Sequence, residues 1–229
     1  MKALVVLSGG QDSMTCLGVA LRVCKQVEAI SFDYGQRHKV ELEHAEELCR
    51  DLNIPWIKIK IDFLKDLVTS ALLETESDVG ANHQYKPGLP ASFVPNRNAL
   101  FLTIAHAYAQ EINAEVIYAG MCQTDYSGYP DCRAIFIQAF QKALNVGYET
   151  GIIIETPLMD LTKAQTFALA EEVGFLDIVL TRSVTCYNGA VNKWQEWGFG
   201  CGECPACLLR AKGWNEFQQL KKERENAHN

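Results

Sequence analysis

Five short apolar runs, each followed by residues at helical spacing, constrain the fold of this chain more than any other feature. The runs are "KALVVL" (2–7), "VEAISFD" (27–33), "WIKIKID" (56–62), "AEVIYAG" (114–120) and "IIIETP" (152–157). Short and rich in Val and Ile, they read as strands. After the first, Met14, Leu17, Leu21 and Cys24 fall on one helical face; after the second, Leu42, Ala45, Leu48, Cys49 and Leu52 do the same, with Glu41, Glu43, Glu46 and Glu47 on the wet side. "NRNALFLTIAHAYAQEI", the stretch carrying Phe136, Phe140, Ala143 and Leu144, and "KAQTFALAEEVG" continue the helical pattern. Strands and helices in alternation predict an α/β fold, a doubly wound parallel five-stranded sheet followed by a helical C-terminal segment.

The 229 residues, 48% of them apolar, suffice for one sizeable core. Residues 1–180 are expected to form the α/β domain, 181–220 a cysteine-bearing loop and helix packed on it, and 221–229 a charged, frayed tail. Between about 70 and 95 the periodicity fails, and "TESDVGANHQYKPGLPASFVP" holds three prolines and two glycines. A loop this long inside a domain reads as a lid or binding segment.

The first strand runs into "LSGGQDSMTCL", residues 7–17. Gly9 and Gly10 let the backbone turn sharply, and the unpaired N–H groups opening the next helix point at whatever occupies the loop, so an anion belongs there. Ser8 and Ser13 add hydroxyl donors. The usual phosphate loop carries a lysine, whereas this one carries Asp12, for which two readings stay open: a helix cap, or a partner for Mg²⁺ arriving with a nucleotide.

Nine cysteines are present. Cys16, Cys24 and Cys49 fall on apolar helical faces, as buried thiols do. Cys186, then fourteen residues, then Cys201-x-x-Cys204-x-x-Cys207 is the spacing of four thiolates around one tetrahedral Zn²⁺; a redox pair and an iron–sulfur cluster are the competing readings. Cys122 and Cys132 stand apart from the cluster. Lys+Arg number 21 against 28 Asp+Glu, a formal charge of -7, so no broad basic face is offered to nucleic acid. No apolar run approaches the ~20 residues of a membrane span, and the five apolar residues before Ser8 are too few for a signal-peptide core. A cytoplasmic enzyme acting on small molecules is expected.

"SGGQDS" resembles the pyrophosphate-binding signature of the PP-loop ATP-pyrophosphatase group, with its adenine-nucleotide alpha-hydrolase-like fold. With it, "FDYGQRHKVE" (32–41), "FVPNRN" (93–98), "TDYSGYPDCR" (124–133), "ETPLMDLTKA" (155–164) and the four cysteines resemble the 7-cyano-7-deazaguanine synthase family of queuosine biosynthesis, over residues 2–217. The resemblance implies a carbon–nitrogen ligase that adenylates a deazapurine carboxylate with ATP and Mg²⁺. Ammonia then gives an amide, and a second activation gives the nitrile. It implies that Leu7, Ser8, Gly9, Gly10, Gln11, Asp12, Ser13, Met14, Thr15, Cys16 and Leu17 form the ATP loop, that Cys186, Cys201, Cys204 and Cys207 hold a structural zinc, and that the protein is a homodimer. A tRNA-modifying PP-loop enzyme is the alternative. The spacer before Cys201, with "KWQEW", is longer than the family pattern.

In an open parallel sheet the ligand sits beyond the carboxyl ends of the strands at the switch point, here strands one and four. Asp125, Tyr129, Asp131 and Arg133 follow strand four and are the substrate-binding candidates. Arg37 and His38 follow strand two. Asp12, Arg97 and Lys163 are the candidate catalytic charges: Arg97 suits a phosphate or carboxylate, and Lys163, opening a helix, would neutralise charge growing at the α-phosphate.

Overall fold

The computed structural model describes residues 1–36, 39–68, 70–73, 89, 91–124 and 129–227. Alternation along β1 (Lys2–Val6) sends Ala3 and Val5 into one core and Leu4 into another, as a strand covered on both faces requires. The chain proceeds through α1 (Gln11–Val23), β2 (Gln26–Asp33), α2 (Val40–Asp51), β3 (Trp56–Lys60), α3 (Leu64–Leu67), α4 (Arg97–Glu111), β4 (Val116–Ala119), α5 (Ala134–Tyr148), β5 (Ile153–Glu155), α6 (Lys163–Glu172) and α7 (Leu176–Arg182). A small hairpin, β6 (Trp194–Gln195) with β7 (Gly198–Phe199), and a long helix, α8 (Pro205–Ala227), complete it. The helices cover both faces, α1, α2, α6 and α7 one of them and α4 and α5 the other.

The five main strands are parallel, in the order β3-β2-β1-β4-β5. From β1 the chain steps outward through β2 and β3, then returns to β4 on the other side of β1. The crossovers therefore diverge between β1 and β4, which opens a crevice at their carboxyl ends. On one face Met14 and Leu17 of α1, Leu48 of α2, Phe167 of α6 and Val179 of α7 share a core with Ala3, Val5 and Leu7. Cys186, Cys204, Cys207 and Phe217 belong to the same core, so the cysteine segment is packed directly behind α1. On the other face Leu102 and Ala105 of α4 and Ile137 of α5 cover Leu4, Ile30, Ile117 and Ile154.

Three elements lie where the sequence reads as loop: α3, α7 and the β6–β7 hairpin. α7 has no side-chain cap, and two-residue strands are too short to carry a period. The tail also differs from expectation. Helix α8 continues to Ala227, its end built of good helix formers and tied by Lys221 to Glu171 of α6 and by Gln219 to Glu223. The segment 74–88 of the expected lid, Arg37, His38 and Asp125 lie outside the described residues.

Candidate active site

The loop between β1 and α1 stands at the switch point. Gly10 is the N-cap of α1 and no side chain caps that helix, so the cap reading of Asp12 is corrected. Ser13 orders the loop instead. Its hydroxyl accepts from the N–H groups of Ser8 (3.1 Å) and Gly9 (3.2 Å) and donates to the Gly10 carbonyl (3.1 Å). Gly9 sits at φ +90, and a Cβ there would lie 2.0 Å from the backbone oxygen of Glu41. Only glycine satisfies both demands, the left-handed turn and the close approach of α2.

Asp12 at the start of α1 meets Lys163 at the start of the neighbouring helix α6. The ammonium donates to both carboxylate oxygens, at 2.8 and 2.6 Å, and the lysine side chain is only 8% exposed. This pair joins residues 151 apart in sequence. Two features fix the lysine. Thr162 caps α6 in a capping box, its hydroxyl accepting from the Gln165 N–H while the Gln165 side chain accepts from the Thr162 N–H. Gly213 of α8 lies so close that an added Cβ would stand 2.4 Å from Lys163 Cβ. Both oxygens of Asp12 thus face a cation of the chain itself, where the sequence suggested Mg²⁺.

A cavity of about 310 Å³ opens beside the loop, a size that suits a small molecule. Ser8, Gly10, Gln11, Asp12 and Ser13 form one wall; Phe32, Tyr34 and Phe101 form another, with Arg97, Tyr129 and Cys132 beyond. Phe32 and Phe101 stack with centroids 4.3 Å apart, an apolar surface fit for a planar base. The Arg97 guanidinium lies over the rings of Tyr34 and Phe101, at 5.7 and 5.9 Å. Burial opposes its charge, but Tyr34, Tyr129, Cys132 and Asp131 around it hold its pKa above the ordinary arginine value. Its Nε and the side-chain amide of Gln11 are buried with no partner among the described residues. Native proteins rarely leave such atoms orphaned, so the wall is built to be completed by a polar ligand.

The expected substrate residues separate. Tyr129 lines the cavity, its hydroxyl 2.7 Å from that of Ser92. Asp131 does not. It is 5% exposed, and Oδ2 accepts the backbone N–H of Asn98 at 3.0 Å, so its carboxylate ties down the first turn of α4, which carries Arg97. Arg133 is exposed, beside the start of α5 and outside the cavity wall. Proximity to β4 in the sequence does not say which way a side chain of the following turn faces.

Glu41 is the opposite case. Read as part of a wet helix face, it instead lines the cavity, because the first turn of α2 tucks against Gly9. Burial pushes its carboxyl up from 4.5 to about 7, although Arg97 and a hydrogen bond from Gln36 pull the other way.

The second element missed is the brace behind the loop. Val184 N–H donates to the Gly9 carbonyl at 3.0 Å. The Thr185 hydroxyl accepts both the Gln11 N–H and Nη1–H of Arg210, each at 3.2 Å. Arg210, 1% exposed, also donates to the Val179 carbonyl at 2.9 Å. Helix α8 is thereby wired to the phosphate loop.

The sulfurs of Cys186, Cys201, Cys204 and Cys207 all lie within 4.8 Å of one another, and those of Cys201 and Cys207 are 3.8 Å apart. Tetrahedral thiolates at the usual zinc–sulfur distance stand ~3.8 Å apart, so these residues fit such a metal. Hydrogen bonds from Cys204 and Cys207 hold the Cys186 thiol far below its ordinary value, and those two are pushed up in turn. A divalent cation relieves that competition by taking all four as thiolates.

Known proteins resemble this chain along nearly its whole length. A protein named 7-cyano-7-deazaguanine synthase from Wolinella succinogenes is 56% identical, covering 94% of this chain and 93% of its own. One of the same name from Helicobacter pylori is 48% identical, covering 95% and 97%. Among solved structures, a 4-thiouridine synthetase in complex with RNA and ATP matches 97% of this chain and 52% of its own, with a TM-score of 0.52 at 18% identity, a likeness of fold. The family model described as "Queuosine biosynthesis protein QueC" matches residues 2–218, and the chain belongs to that family.

Proposed function

We propose that this chain is a 7-cyano-7-deazaguanine synthase, an ATP-dependent carbon–nitrogen ligase that turns a 7-carboxy-7-deazaguanine into the nitrile. One observation carries the reading: a relative of that name is 56% identical along nearly the whole chain. In the first round the substrate carboxylate attacks the α-phosphorus of ATP, and pyrophosphate leaves into the loop 7–17. Ammonia displaces AMP to give the amide. In the second round the amide oxygen attacks another ATP, and loss of AMP leaves the nitrile.

The loop amides and hydroxyls receive the departing pyrophosphate, with the end of α1 favouring negative charge. Lys163, held beside the loop by Asp12, offsets charge on the phosphates, and Arg97 takes an anionic group of the substrate or α-phosphate. Mg²⁺ enters with the nucleotide. The orphaned amide of Gln11 and Nε of Arg97 supply polar partners. Tyr129, and Asp125 from the sequence pattern, bind the deazaguanine. Zn²⁺ held by Cys186, Cys201, Cys204 and Cys207 has no open position and serves structure: it keeps α8, and with it Arg210 and Thr185, behind the loop. A homodimer, which the family resemblance implies, is supported by α5, which exposes Ile135, Val146 and Tyr148 and buries only Ile137.

The test is mass spectrometry of base and nucleotide after mixing purified protein with 7-carboxy-7-deazaguanine, ATP, Mg²⁺ and ammonium. Nitrile, AMP and pyrophosphate are expected. An unchanged base, with nucleotide bound and metal present, refutes the proposal.

A further inference from the structure

The reaction proposed above must shed protons, and it sheds them at nitrogen. Attack of a carboxylate on the α-phosphorus breaks only the bond to pyrophosphate and moves no proton. Ammonia addition releases one N–H proton, and conversion of amide to nitrile releases both that remain. A basic group in the cavity wall would speed their removal.

The described residues of the cavity wall offer few candidates. Among the described residues, the side chains lining the cavity include two carboxylates, Asp12 and Glu41, and no histidine. Asp12 already accepts from Lys163 with both oxygens. Tyr34, Tyr129 and Tyr187 are phenols that burial drives further from ionisation. Cys186 belongs to the four-sulfur cluster, and Cys132 accepts the side-chain N–H of Asn98 at 3.2 Å. Glu41 remains. Its backbone touches Gly9, so its side chain leaves the chain next to the phosphate loop, where the adenylated carbon must lie. Arg97, Tyr34 and Gln36 face it.

We propose, resting on the ligase reading, that Glu41 is the proton acceptor for the nitrogen-centred steps of both rounds. In the first, the nitrogen–carbon bond forms, the carbon–oxygen bond to AMP breaks with its electron pair leaving on the phosphate oxygen, and Glu41 takes one N–H proton. In the second, one N–H proton passes to Glu41 as the amide oxygen bonds to phosphorus and pyrophosphate leaves. Once Glu41 has released it to water, the last N–H proton follows. Its bonding pair becomes the third carbon–nitrogen bond as AMP departs. A carboxyl titrating near 7 is matched to both taking and releasing protons at neutral pH.

The experiment compares wild type, Glu41→Gln and Glu41→Asp in two assays. One is carboxylate-dependent exchange of labelled pyrophosphate into ATP without ammonium, which reports adenylation alone. The other is nitrile formation from added 7-amido-7-deazaguanine and ATP. Glu41→Gln is expected to keep exchange within about twofold of wild type while nitrile formation falls about 100-fold, and Glu41→Asp to recover part of the loss. Equal loss in both assays would make Glu41 a nucleotide-positioning residue and overturn the proposal, as would nitrile formation at the wild-type rate. If wild type forms no nitrile from carboxylate or amide, the ligase reading itself falls.

Discussion

Holding Glu41 in the cavity wall has a consequence for stability that is separate from catalysis. Its carboxyl rises from 4.5 in the ordinary state to about 7 in the fold. The native state therefore prefers the acid form, and its stabilisation is complete below 4.5 and lost as the pH climbs through 7. At about 1.4 kcal/mol for each tenfold change in proton affinity, the loss approaches about 3 kcal/mol, less where water in the open cavity screens the charge. Glu41→Gln cannot ionise, so it escapes this penalty. Urea unfolding of both zinc-loaded proteins at pH 5 and pH 8 measures it. The variant is expected to gain about 2 kcal/mol on wild type between these two pH values. Comparing the proteins at each pH cancels the titrating groups that do not face Glu41. A difference that stays constant with pH would refute the argument that burial raises this carboxyl, and a difference that narrows would reverse its sign.

Four further outcomes follow from the geometry. Lys163→Met leaves the partly buried Asp12 carboxylate without its bidentate partner and is expected to cost about 2 kcal/mol; a double-mutant cycle with Asp12→Asn should return a coupling energy above ~1 kcal/mol, and additive effects would deny the pair. Gly9→Ala forces a Cβ to within 2.0 Å of the Glu41 carbonyl oxygen at φ +90, so ATP affinity by calorimetry should fall at least about tenfold, and an unchanged Kd would contradict it. Cys207→Ser is expected to abolish stoichiometric zinc by metal analysis and to lower Tm; retention of one zinc per chain would exclude the four-sulfur site. For the homodimer proposed above, with α5 as its contact, the double variant Ile135→Glu, Val146→Glu should shift light scattering from dimer to monomer without loss of fold; a wild type that is already monomeric would refute the dimer, and an unaltered dimer mass would move the interface elsewhere.

How much of this was legible beforehand depends on the range of the forces involved. The sheet was, because strand alternation and helical stripes are local consequences of burying one face, and each of the five strands appears where its apolar run lies. So was the glycine turn between β1 and α1: two glycines between a strand and a helix leave free N–H groups whatever surrounds them. The cluster of Cys201, Cys204 and Cys207 was readable from spacing, since cysteines three positions apart on a turn bring their sulfurs together. Hydrophobic pattern also misled, and did so at Glu41. A glutamate among glutamates on an amphipathic helix reads as solvated, and only the docking of α2 against Gly9 turns that residue into the cavity. The pairing of Asp12 with Lys163, the burial of Arg210 under Thr185, and the turning of Asp131 toward α4 share this cause. Each joins groups far apart in the chain, and no local preference encodes which distant partner a charge will meet. The sequence by itself determined the layers, the glycine turn and the grouping of four cysteines; which charges face the cavity was decided only when the sheet order brought β1 beside β4 and set α6 and α8 behind them.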